Sequence, residues 1–151
     1  MKLSFGFAAI LAMACAVFAA DAGKVTYVGH DKVTAALNKG GPLVTAADLT
    51  VSGSHRDKPG QVEVHDKETD VIYMIDGEAT FVTGGKAVGL KSTRPGQSIG
   101  TEVQGGETHH LTKGDVIVVP NGVPHWFEKV SGPLNYYVVK VRRSQADGRI
   151  Q

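Results

Sequence analysis

The chain has 151 residues, with 16 Lys and Arg against 15 Asp and Glu, and a single cysteine. That length suits one domain with one site rather than a cofactor-binding domain beside a substrate domain. A net charge of +1 excludes a nucleic-acid surface, and a lone cysteine, Cys15, excludes a disulfide within the chain.

Met1-Lys2 is followed by an uncharged, mostly apolar run over residues 3–20, and the first acid is Asp21. This is the layout of a secretory signal peptide, with Val17 and Ala19 at the two selective positions before the cut. Residues 1–19 are therefore read as a signal, which predicts an exported protein, periplasmic or secreted, with no membrane contact once the signal is cleaved. The run is also near the length that spans a bilayer, so an uncleaved anchor is the competing reading. Cleavage removes Cys15 and Lys2, leaving a thiol-free chain with equal numbers of basic and acidic residues.

Next in chain order comes one helix, predicted over 31–39 from an Asp31 N-cap, apolar Val33, Ala36 and Leu37 at helical spacing, and a Gly40-Gly41 stop. The rest reads as strands, at 43–45, 49–52, 61–65, 70–75, 79–82, 97–104, 107–111, 115–119, 125–128 and 134–141. Glycine-containing turns recur between β-branched segments, the pattern of an antiparallel all-β sandwich or barrel. Asp76-Gly77 signals a two-residue hairpin, so a meander of short strands is expected. Residues 83–95 read as an irregular loop, and Lys140-Val141-Arg142-Arg143 as a solvent-facing basic cluster. The organisation is thus a signal at 1–19, an N-terminal segment with the helix at 20–47, a barrel at 48–142 and a tail at 143–151.

Glu63 and His65 lie two apart in an extended run, so both project from one face. Asp70 opens the next strand, whose antiparallel return would bring it alongside the pair. The fourth candidate, His125, follows the turn Pro120-Asn121-Gly122-Val123-Pro124, which aims its ring. Two imidazoles and two carboxylates suit one divalent ion, Mn, Fe, Co, Ni or Zn, without choosing among them.

These residues resemble the cupin motifs. The first motif, G-x5-H-x-H-x3-4-E-x6-G, is matched by Asp57, Glu63, His65, Asp70 and Gly77 at the same spacing, with Asp57, Glu63 and Asp70 as departures. The second, G-x5-P-x-G-x2-H-x3-N, is matched by Gly114, Pro120, Gly122 and His125, with Lys129 in place of the asparagine. The resemblance covers residues 61–129. It implies a jelly-roll antiparallel β-barrel that encloses its metal ligands, and frequent pairing into homodimers.

Other residues carry less. Only one of His109 and His110 can face inward, where it would serve as an acid or base; a surface or strand-pairing role competes. His55 could supply a further ligand or touch substrate, against the stronger reading as the flank of a solvated turn. Ile72, Met74 and Phe127 share the inward parity and read as pocket wall or plain core, while Tyr73 and Trp126 point the other way. No residue is singled out as a catalytic base. Small cupins include isomerases, epimerases, lyases and dioxygenases, so the resemblance implies a metal-dependent enzyme acting on a small oxygenated molecule. Two alternatives stand beside it: a non-catalytic module binding metal or carbohydrate, and a dimerisation unit with a vestigial site.

Overall fold

The computed structural model describes residues 23–142. The run read as a signal, Cys15 and the tail from 143 lie outside the described residues. Among the described residues one helix, α1 (His30–Lys39), precedes thirteen strands: β1 (Gly41–Thr45), β2 (Leu49–Arg56), β3 (Val62–His65), β4 (Glu68–Asp76), β5 (Ala79–Thr83), β6 (Lys86–Val88), β7 (Lys91–Arg94), β8 (Gln97–Gly100), β9 (Glu102–Gln104), β10 (Glu107–Leu111), β11 (Val116–Val119), β12 (His125–Val130) and β13 (Leu134–Arg142). No described helix is long and apolar enough to cross a membrane.

Two antiparallel sheets face each other. One runs β1-β2-β13-β4-β11, the other β10-β5-β12-β3-β8-β7, and β6 with β9 forms a separate ribbon. Alternation fills the space between them. Ile72 and Met74 project inward from β4, Tyr136 from β13, Phe81 from β5 and Phe127 from β12, all buried. Phe81 meets Phe127 edge to face at 4.6 Å between ring centroids, a favoured aromatic geometry. Met74, Phe81 and Leu134 are fully enclosed, and each stabilises the fold by about 1.5–3 kcal/mol relative to an exposed position.

The all-β jelly-roll expectation holds, but its expected connectivity does not. Asp76-Gly77 is not a hairpin: β4 and β5 lie in different sheets, and the turn is a corner between them. Only β1–β2 and β7–β8 are consecutive strands that pair, so the sheets are not a meander. A local turn signal specifies a reversal of direction; which strand becomes the neighbour is decided by long-range burial, here of β4 between β13 and β11. Residues 83–95, expected as loop, contain β6 and β7. All four positions of β7 are exposed, so it has no hydrophobic alternation to read. The single strand expected over 97–104 is two, broken where Thr101 N donates to Val88 O, after which β9 pairs with β6 instead of β3.

The helix begins one residue earlier than expected, capped by Gly29 with no side-chain cap. Asp31 therefore sits in the first turn, where its charge favours the positive end of the helix dipole. Ala36 is the buried residue of α1. A Cβ on Gly53 would come within 2.9 Å of Ala36, so glycine there lets the helix lie against β2 on the outside of the barrel. β1, within the segment read as 20–47, pairs with β2 at the edge of the first sheet.

Candidate metal centre

Glu63 and His65 project together from β3 into the space between the sheets. His125 opens β12 directly opposite Glu63, which places a second imidazole on the same face. The preceding turn fixes its aim: Val123 N donates to Pro120 O at 3.2 Å, and Gly122 N donates to the carbonyl of His65 at 2.8 Å. The loop carrying one histidine is thus bonded to the backbone of the other. Asp70 comes from the opposite sheet, not from a strand paired with β3 as the sequence suggested, and reaches the histidines across the barrel.

Both imidazoles turn Nε2 toward the same point. Asp70 Oδ2 lies 3.5 Å from His65 Nε2 and 3.7 Å from His125 Nε2, while Glu63 Oε2 lies 3.3 Å from His65 Nε2. One ligand atom each from Glu63, His65 and His125 falls within 4.8 Å of the others. An ion with ligand bonds of about 2.0–2.2 Å closes that spread with small side-chain shifts. His65, Asp70 and His125 are 2%, 3% and 5% exposed, while the Glu63 side chain is 34% exposed, so the cluster is buried on all but its Glu63 side.

The protonation states suit a cation. His125 Nδ1 lies 3.1 Å from the Val123 carbonyl. A carbonyl only accepts, so Nδ1 carries the proton and Nε2 offers its lone pair to the site. Burial pushes the ring below its ordinary 6.5, against the Val123 carbonyl and the nearby carboxylates, which favour the charged form. The His65 imidazole beside Glu63 outweighs burial there and holds its carboxyl down at about 2. Asp70 Oδ1 is buried without a partner, a second carboxylate oxygen left over for a cation. The donor set fits a divalent ion on these grounds.

Two residues that the sequence reading did not place here complete the site. Lys140, expected in solvent, lies opposite Asp70 in register; its Nζ donates to Asp70 Oδ2 at 2.6 Å and to His65 Nε2 at 2.8 Å. The signal was present: Leu134, Tyr136 and Val138 set an inward alternation on β13, and Lys140 continues it. Arg142, next in that row, bonds Glu68 at 2.9 Å and the Ala46 carbonyl at 3.0 Å, so it too is not a free surface cation. Arg56, at the end of β2, lines a cavity of about 40 Å³ with Glu63, Asp70 and His125. Its guanidinium rests over Phe127 at 4.9 Å, and its Nε is buried without a partner.

The remaining candidates fall outside the cluster. His109 shares the inward face but is tied to Thr83 Oγ1 at 2.8 Å. His110 is exposed, 3.7 Å from Glu78, and His55 is bonded to Asn135 at 2.8 Å on the surface. Trp126, expected to face away from the site, lines the cavity edge and donates its indole N–H to Gly60 O at 2.8 Å.

Two facing sheets enclose a two-histidine, one-carboxylate cluster that could hold a cation, and so define a small barrel. The family model for cupins matches residues 11–147, and the chain belongs to that family. No curated protein sequence matches it. Among solved structures, it is similar to a protein from Bacillus halodurans, at 14% identity and a TM-score of 0.56, covering 87% of this chain and 92% of that one. It is also similar to an uncharacterised Klebsiella pneumoniae protein with a double-stranded β-helix domain, at 19% identity and a TM-score of 0.50, covering 73% and 86%. At these identities the likeness establishes the fold alone.

Proposed function

We propose that this cupin is a metalloprotein that holds one divalent ion, Mn, Fe, Co, Ni or Zn, through Glu63, His65 and His125 with Asp70 as fourth ligand. On this reading it is an enzyme of the isomerase, lyase or dioxygenase kind acting on a small oxygenated molecule. The observation that carries it is the convergence of two buried Nε2 atoms and a carboxylate within 4.8 Å. A bound ion would supply Lewis-acid activation of a ligand oxygen. The chain's own residues would orient that ligand. Arg56, which has no carboxylate within salt-bridge range among the described residues, supports an anionic oxygen group on it. A cavity of about 40 Å³ holds roughly three water-sized groups, which supports a small head group entering rather than a whole sugar.

Elemental analysis by mass spectrometry tests the metal. Protein purified without chelators is expected to carry near-stoichiometric divalent metal that vanishes in the His65→Ala, His125→Ala double variant. Wild type that stays metal-free after incubation with Mn, Fe, Ni and Zn would refute the reading.

Export is proposed on the apolar run after Lys2. Homodimer formation is proposed on the outer face of β4 and β11, where Tyr73, Val116 and Val118 are 42%, 59% and 55% exposed. An intact mass starting at Ala20 would support the first and a dimeric sedimentation coefficient the second; a full-length, monomeric product would overturn both.

A further inference from the structure

The ammonium of Lys140 and a divalent ion need the same atoms. Lys140 Nζ takes up the lone pair of His65 Nε2 at 2.8 Å and the Oδ2 of Asp70 at 2.6 Å. An imidazole nitrogen has one lone pair, so it cannot serve the ammonium and a metal together. From this geometry we infer that Lys140 is a built-in rival of the metal: its ammonium occupies the cage until an incoming ion expels it. This inference rests on reading Glu63, His65 and His125 as metal ligands.

The strand chemistry makes such an exchange feasible without refolding. Lys140 sits on β13, hydrogen-bonded on both sides to β2 and β4, with Thr50 and Asp70 as its register partners. Its Cα is therefore fixed, and only the four-carbon stem can move. The side chain is 22% exposed against 5% for Asp70, so the stem has a way out to water while the carboxylate has none. With the ammonium in, Lys140 neutralises the buried carboxylate and supplies Oδ2 with a donor. With a metal in, Asp70 is released to become the fourth ligand, and its Oδ1, buried without a partner, gives it a second oxygen for the ion.

The exchange predicts that removing the ammonium moves two quantities in opposite directions. In Lys140→Met, Zn(II) and Mn(II) should bind at least about tenfold more tightly, because nothing has to be expelled. The chelator-treated variant should meanwhile unfold at lower urea concentration than wild type, because Asp70 is buried without its partner. Lys140→Gln, which keeps a donor for Asp70 but no charge, should bind metal more tightly than wild type with a smaller loss of stability.

The measurement is competition with a chromophoric chelator at one fixed pH on the full chain, alongside urea unfolding of the metal-free proteins. Tighter binding in both variants supports the inference. Equal or weaker binding in variants that fold, while wild type binds, would overturn this inference alone. Absence of binding in all three proteins would overturn it together with the metal-centre reading beneath it.

Discussion

His125 is kept neutral by burial, and Glu63 is kept charged by His65; both shifts tie stability to pH in the same direction. The unfolded chain takes up a proton at His125 near the ordinary 6.5 that the folded chain takes up only at lower pH. Folding is therefore disfavoured progressively as pH falls below that value. Glu63 adds a lower window: its contribution is present above 4.5 and is lost as pH falls toward about 2. Urea unfolding of chelator-treated protein should show stability declining from about pH 6.5 downward, and His125→Gln should flatten the upper part of that decline. Identical profiles for the two proteins would contradict the assignment. At this scale much of the site is legible in sequence. Parity alone puts Glu63 and His65 side by side, and the proline-glycine turn singles out His125. Lys140 escaped because its neighbours in sequence, Arg142 and Arg143, make it look like a solvated cluster, although the alternation from Leu134 points it inward. Arg56 escaped because it follows the short polar stretch Ser52-Gly53-Ser54-His55, where no apolar period extends the strand far enough to show its face.

Turns carry the next level. Many reversals were visible as glycine signals, but the partner across them was not: β4 takes its neighbours from β11 and β13, far along the chain. Gly77 shows why the corner still needs its glycine. Its φ is +83°, and a Cβ there would come within 2.6 Å of Leu134 Cβ and 2.7 Å of the Pro133 carbonyl. Leu134 is fully buried, so it has nowhere to retreat. Gly77→Ala should destabilise the protein by about 2 kcal/mol or more, adding backbone strain to overpacking. A loss below about 0.5 kcal/mol by chemical denaturation would show that this corner is not the tight junction between sheets described here. The exposed β7 and the three-residue β6 could not have been read in advance, because neither buries a face that would impose a period.

The whole molecule joins these scales. A jelly roll brings residues from opposite sheets, β3 and β12 on one side and β4 and β13 on the other, to one enclosed point. The paired motifs made that fold legible, yet they say nothing of which side chains the opposite sheet contributes beyond Asp70. The central claim is that His65 and His125 bind one ion together with carboxylate oxygen. X-ray absorption at the K-edge of Zn loaded to one equivalent tests it most directly. The account predicts two imidazole nitrogens and the remaining ligands oxygen, at about 2.0–2.2 Å, with the imidazole scattering halved in His125→Ala. A wild-type spectrum showing only oxygen ligands, or one unchanged by that substitution, would contradict it.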